Sequence, residues 1–319
     1  MSDVVAIGEM LIDFSLEGSD PAGYPTMKAH PGGAPANYLA CLCKLGAKAS
    51  FIGKVGSDFF GRALARTLSA AGIDTRGLIV TDDVFTTLAF VTLDEHGDRE
   101  FSFARKPGAD TQFAVSELRL DVIDEAGVLH FGSLSLTDEP ARSACRCAVE
   151  YARSRGKLIS YDPNLRKPLW SDLSAAKEQM LWGLSQADVV KISDEEVDFL
   201  FGLPPEDGVE HITANYPAQL VFVTCGADGC CYGTKSVRGR AEGMKGIKVV
   251  DTTGAGDIFG GSAMWMLLKS GKAPQQLTAD DLRSISSFAC CCAGLSTTRP
   301  GGISSIPALE EVLRALEHM

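Results

Sequence analysis

Positive charge is scarce in this chain. Thirty Lys and Arg residues stand against 41 Asp and Glu, for a net charge of −11 and a pI near 5.0. A nucleic-acid partner normally calls for a basic face, so that class is disfavoured. Any anion bound here needs local donors, because the overall field repels it. Long apolar runs are missing too. Stretches such as 288–295 fall well short of a bilayer span. Met1 to Asp13 lack the basic patch, apolar core and small-residue site of a signal peptide. We therefore expect a cytoplasmic protein with no membrane association. None of the ten cysteines form the two-residue spacing of a zinc knuckle or redox pair. Most lie in apolar stretches, as small core residues of a reducing compartment do.

Three familiar nucleotide and hydrolase fingerprints are also lacking. The nearest approach to a Walker loop, Gly229 to Ser236, has Thr234 where glycine is required. Gly8 follows the first apolar run but opens no glycine-rich turn, so the dinucleotide fingerprint fails. No Gly-x-Ser-x-Gly elbow occurs.

What is present is an alternation of strand-like and helix-like segments. Apolar runs at 4–7, 50–55, 128–132, 158–161, 189–192 and 220–224 read as strands. Segments 34–45, 61–71 and 143–155 read as helices, the first with Pro35 in its opening turn and Gly46 as its stop. This rhythm predicts an α/β fold of three αβα layers around a mostly parallel sheet. One region departs from it. Runs 86–93 and 100–105 flank Asp94-Glu95-His96-Gly97-Asp98 and predict a hairpin. With residues near 11–16 and 26–30 they suggest a small β lid, contributed by about 11–30 and 86–110, on a single domain spanning 1–319. A lid would exclude water from a reacting site.

The most informative segment is 249–262, VVDTTGAGDIFGGS. We expect a strand over 247–250, then Asp251-Thr252-Thr253, then Gly254-Ala255-Gly256 opening a helix over about 257–269. Small residues at a helix start leave backbone N–H groups pointing outward, and the helix dipole adds positive potential there. Such a site binds phosphate. Asp257 admits two readings. A carboxylate in a first helical turn simply complements the dipole. Equally, beside bound phosphate it could take a proton from an attacking hydroxyl, with the amides stabilising the group in transit.

Here the residues resemble a known family. Segment 251–257 resembles the second signature of the PfkB, or ribokinase-like, carbohydrate kinases. Gly32-Gly33-Ala34-Pro35-Ala36-Asn37 resembles their first, and the likeness runs from Gly8-Glu9 to Ser305-Ile306-Pro307. The resemblance implies ATP and Mg²⁺ as cofactors and a small sugar as substrate. It implies Asp257 as base and Gly254, Ala255 and Gly256 as the anion hole. Asp13, Gly32, Gly33 and Asn37 would meet the sugar. Lys191-Ile192-Ser193-Asp194-Glu195-Glu196 resembles the family's Asn-x-x-Glu segment, with Ser193 in place of Asn. It implies Glu196 near Mg²⁺ through water and Lys191 on the nucleotide side; a merely acidic helix start is the alternative. Thr224, Gly226 and Gly229 would line the nucleotide. Asp251, Thr253, Ser296, Arg299, Gly301 and Ser305 align with a monovalent-cation (K⁺) loop. Ser160-Tyr161-Asp162-Pro163-Asn164-Leu165-Arg166 and Phe103-Ala104-Arg105 look like the fructokinase branch. They imply Arg105 and Arg166 as sugar or phosphate ligands, with surface ion pairing as the other reading. Fructose is the expected acceptor, ahead of 2-keto-3-deoxygluconate, a nucleoside, or a non-catalytic sugar sensor. An exposed lid strand offers pairing to a second copy, and so a homodimer.

Overall fold

A computed structural model describes residues 2–93 and 99–317. The expected turn at Asp94 to Asp98 lies outside the described residues. Along the chain the strands are β1 (Val4–Ile7), β2 (Leu11–Ser19), β3 (Pro25–Gly32), β4 (Ala49–Gly56), β5 (Asp74–Thr81), β6 (Leu88–Leu93), β7 (Arg99–Ala104), β8 (Val128–Gly132), β9 (Leu158–Asp162), β10 (Val189–Ser193), β11 (Leu220–Thr224), β12 (Cys230–Gly233) and β13 (Arg238–Ala241). The helices are α1 (Ala34–Lys44), α2 (Phe59–Ala70), α3 (Leu120–Asp124), α4 (Ala141–Ser154), α5 (Leu173–Gln186), α6 (Asp194–Phe201), α7 (Pro205–Asn215), α8 (Ala255–Ser270), α9 (Ala279–Ser296) and α10 (Leu309–Leu316).

Nine strands form one sheet in the order β13-β12-β11-β10-β9-β8-β1-β4-β5. Seven of them run parallel, and β12 and β13 add an antiparallel edge. Successive side chains of a strand face opposite ways. Val4 and Ala6 therefore enter one core with Leu39 of α1, Leu64 of α2, Ile258 of α8, Leu282 of α9 and Val312 of α10. Val5 and Ile7 enter the other with Val122 of α3, Val149 of α4, Met180 of α5, Val197 of α6 and Ile212 of α7. Strands buried on both faces are mostly apolar, which is why runs such as Val128–Gly132 stand out in the sequence.

The second sheet has the order β3-β2-β6-β7. It is mixed: β2 pairs antiparallel with β3, and β6 with β7, but β2 and β6 run parallel. Their parallel pairing follows from the route of the chain, which returns to the large sheet through α1, β4, α2 and β5 before β6 begins.

The expected strand at 247–250 does not form. This segment is extended but joins no sheet, and Val249 and Val250 are each more than half exposed. It is held instead by the Thr297 carbonyl, which accepts from the Val250 and Asp251 amides.

All ten cysteines are free thiols. Cys290, Cys291 and Cys292 lie on α9 and point to three different neighbours. Cys290 meets Cys230 of β12 at 3.8 Å, Cys291 donates to the Val312 carbonyl of α10, and Cys292 shares a hydrogen bond with Cys41 of α1.

Helix α2 shows how burial divides along one helix. Leu64 is fully buried, whereas Arg66, just over half a turn on, is exposed. Leu64→Ala should cost about 2–5 kcal/mol and Arg66→Ala less than about 0.5 kcal/mol in urea denaturation. Equal costs would contradict this placement of α2.

Candidate active site

The carboxyl ends of β1, β8, β9, β10 and β11 open onto one cleft rim, the usual place for ligands on an open α/β sheet. The start of α8 faces this rim. Gly254 caps the helix in the left-handed region (φ 76°), with no side-chain cap. A glycine is required there, since L side chains avoid positive φ. The amide of Ile258 donates to the Gly254 carbonyl, and that of Ala255 to the Thr252 carbonyl. The expectation that Ala255 lends its amide to an anion is thus corrected: the tight turn brings Thr252 O within 3.2 Å of it. The amides of Gly254, Gly256 and Asp257 have no protein acceptor among the described residues.

Asp257 sits in the first turn of α8, half-buried. Its Oδ2 accepts from Nδ2 of Asn37, 2.8 Å away on α1. Burial raises its carboxyl above the ordinary range, while the Asn37 hydrogen bond, Lys191 and Arg166 oppose that rise. The Asn37 side chain is buried, and its Oδ1 has no hydrogen-bond partner among the described residues. A buried amide oxygen left open is costly without a ligand or water.

Beneath α8 lies a lysine. Lys191 enters from β10, and its Nζ is so close to Gly256 that a Cβ there would stand 2.9 Å from it. It pairs with Asp162 Oδ2 from the end of β9 at 3.0 Å. Burial works against the ammonium, but Asp162, Glu196 and Asp257 more than offset it and hold Lys191 above its ordinary value. Burial also pushes the Asp162 carboxyl up to about 7, against the pull of Lys191. Asp162 was quoted in the sequence only as part of a longer segment. The signal for both residues is a charge set into an apolar strand, in VVKIS and LISYD.

Asp13, on β2, faces the same cleft. Its Oδ2 lies over Gly32, where a Cβ would come within 2.0 Å, so only glycine fits below it. Gly33 holds φ 116° and packs against the Glu9 carbonyl. Burial pushes Asp13 up to about 6; Arg166 lowers it, and Asp257 and Asp251 raise it. Arg166 follows the left-handed Asn164 (φ 47°), and its charge acts on both Asp13 and Asp257.

Glu196 serves a helix start. Its Oε2 accepts from the Ser193 amide at 2.9 Å, completing a capping box, and its Oε1 accepts from Leu165 N at 2.6 Å. Each oxygen keeps a lone pair for water, which fits an outer-sphere role toward Mg²⁺. Thr224 and Gly226 lie at the end of β11, with Gly226 at φ 53°. Gly229 packs instead against the 241–243 backbone, with Ala241 O only 2.1 Å from where a Cβ would be. That close approach accounts for its glycine without a ligand.

The candidate cation loop assembles in part. Asp251 accepts from the Thr253 amide and hydroxyl and from Gly301 N at 2.8 Å, drawing the two segments together. Ser296 and Ser305 donate their hydroxyls to nearby carbonyls, and the Arg299 guanidinium turns to Glu311 at 2.5 Å. Arg299 could contribute only its main chain.

Arg105 is the clearest departure from expectation. It is 4% exposed and bound to Asp110 at 2.7 Å, Thr137 Oγ1 at 2.9 Å and Leu134 O at 2.9 Å. These protein acceptors occupy its fork, so a direct sugar contact is not what the side chain is arranged for.

An uncapped helix start, a carboxylate beside it and an oxygen-rich cleft at the strand ends equip a phosphotransferase that uses an alcohol as acceptor. The chain belongs to the pfkB family of carbohydrate kinases, matched over residues 1–309. Fructokinase-2 of Solanum lycopersicum is 41% identical over 98% of this chain and 96% of its own length. Fructokinase-1 of Zea mays is 41% identical over 98% and 97%. Among solved structures, fructokinase from Xylella fastidiosa with bound ATP has a TM-score of 0.87 at 30% identity, covering 100% of this chain and 99% of that one. Fructokinase from Vibrio cholerae with fructose, ADP and calcium ion has a TM-score of 0.87 at 32% identity, covering 99% of each.

Asp13 also carries a stability cost with a definite sign. The folded chain binds its proton more tightly than the unfolded chain, at about 6 against 3.8. Its contribution is therefore full below about pH 4 and is lost as pH rises through about 6. Asp13→Asn should be more stable than the parent by about 1–2 kcal/mol at neutral to mildly alkaline pH and equally stable in acid. Urea midpoints at the two pH values check this; no gain at the higher pH would mean the carboxylate is well solvated.

Proposed function

We propose that the protein transfers the γ-phosphoryl group of ATP to the 6-hydroxyl of fructose, with Asp257 as base. The observation that carries this reading is the half-buried Asp257 at the uncapped start of α8, held by Asn37. The names of the relatives select the sugar: curated relatives about 41% identical are fructokinases.

In this reading the sugar lies between Asp13, the Gly32–Gly33 turn and Asn37. The open Asn37 Oδ1 accepts a hydroxyl while its Nδ2 keeps Asp257 ionised and aimed. The acceptor hydroxyl attacks the γ-phosphorus as its proton passes to Asp257, the bond from the γ-phosphorus to the β,γ-bridging oxygen breaks, and ADP leaves with that oxygen. Negative charge spreads over the transferring oxygens, and the amides of Gly254, Gly256 and Asp257 receive it, together with the α8 dipole. Lys191 and Arg166 add fixed positive charge on two sides of Asp257. Thr224 and Gly226 face the nucleotide. Bound Mg²⁺ would neutralise phosphate oxygens, with Glu196 steadying its water shell. The oxygens around Asp251, Thr253 and Gly301 would hold a K⁺ ion.

The small sheet, from about 11–30 and 86–110, serves as a lid on one kinase domain. A cytoplasmic location fits the ten free thiols. No helix among the described residues is long and apolar enough to cross a membrane. Two copies would pair through an exposed edge of the lid.

Asp257→Ala should lower kcat by about 10²–10⁴-fold while sugar binding, measured calorimetrically, largely survives. Normal turnover in that variant would remove the mechanism. A coupled ADP-release assay with fructose, ribose, 2-keto-3-deoxygluconate and adenosine should give the highest kcat/KM for fructose. Removing Mg²⁺ with a chelator should abolish turnover; continued turnover would reject the role given to Glu196.

A further inference from the structure

The chain passes between the two sheets four times, and all four passages meet at one buried cluster. Glu9, between β1 and β2, accepts from the Ala34 amide just beyond β3 at 3.0 Å. Thr87, just before β6, donates its hydroxyl to Asp110 Oδ1, and its carbonyl accepts from Ile12 N of β2. Arg105, just after β7, donates through Nε to Asp110 Oδ2 at 2.8 Å and reaches Leu134 and Thr137 beyond β8. Gly108 lets the turn close: a Cβ there would come within 1.9 Å of Thr87 Oγ1. The charged groups facing Arg105 are Asp110, Glu9 and, at 3.9 Å, Asp138.

We propose that the buried Arg105–Asp110 pair is the pivot that fixes the small sheet over the cleft, so that both are positioning residues acting through Asp13 rather than ligands of the sugar. The reasoning is geometric. Arg105 grips the large-sheet side at Leu134 and Thr137 and, through Asp110 and Thr87, the start of β6. The Thr87–Ile12 hydrogen bond then sets β2 one residue from Asp13. A planar fork with several fixed acceptors holds orientation as well as position. With the pair gone, the small sheet would remain folded but sit less firmly, and water would reach the phosphoryl group more often.

The kinetic arm of the test rests on the fructokinase reading; the exchange arm needs no substrate. Asp110→Asn weakens the pair from a residue that no sugar would touch. Arg105→Met with Asp110→Leu removes both charges, because removing one buried partner alone can unfold a protein. Amide hydrogen exchange of the sugar-free protein should accelerate about tenfold or more in β2 and β6 and stay unchanged in β8 to β11. KM for fructose should rise about 10–100-fold with KM for ATP unmoved, and ATP hydrolysis should increase relative to sugar phosphorylation. Arg105→Lys, which keeps charge but loses the fork, should fall between parent and double variant. The proposal is overturned if the folded double variant shows parental exchange in β2 and β6. It is equally overturned if Asp110→Asn leaves KM for fructose and the hydrolysis ratio unchanged while Arg105→Met alone raises KM, the pattern of a direct ligand. Loss of all kinase activity toward fructose in the parent, with exchange behaving as stated, would reject the substrate and keep the pivot.

Discussion

The molecule is organised around keeping one carboxylate charged in a place where burial favours its proton. Asp257 is half-buried, and that removal from water works against its ionised form. Four things oppose it: the α8 dipole, the Asn37 amide, and the charges of Lys191 and Arg166. Each comes from a different element. Lys191 rides on β10, Arg166 on the turn after β9, Asn37 on α1. The large sheet and the first helix packed on it are thus the frame that sets the distances between these groups.

The cost of that frame appears in groups left short of partners. Asn37 Oδ1 and Asp162 Oδ1 are buried without a hydrogen bond, and Asp13 and Asp162 are pushed toward their neutral forms. Such shortfalls are unusual in a settled interior. In the proposed reading the sugar supplies the partner that Asn37 Oδ1 lacks, so function and stability compete for the same group.

Much of the frame was legible in the sequence because doubly buried strands are mostly apolar, and runs such as Val128–Gly132 and Leu220–Thr224 have no other easy reading. Pro35 and Gly46 bracket α1 for equally local reasons. The stretch 247–250 looks the same by composition, yet it joins no sheet, its end being held by the Thr297 carbonyl instead. Asp257 could be picked out because its chemistry is local, a carboxylate in the turn that opens a helix. Arg105 could not be placed, because two of the acceptors that bury it, Leu134 O and Thr137 Oγ1, lie about thirty residues away. Ala255 fails for a subtler reason: the αL turn at Gly254 folds a carbonyl back onto one amide of the three.

The three consecutive cysteines of α9 have a consequence for shape. Neighbours on a helix project about 100° apart, so Cys290, Cys291 and Cys292 together sweep more than half of its circumference. A thiol is small, apolar and a weak hydrogen-bonding group, so each can touch a different element without holding it at arm's length. Helix α9 is consequently wedged between β12, α10 and α1 like an axle in three bearings, unable to turn without disturbing all of them. Its far end is Ser296 and Thr297, whose carbonyl steadies the chain running into α8. An unremarkable run of sulfur thereby becomes the backstop for the loop that leads into α8.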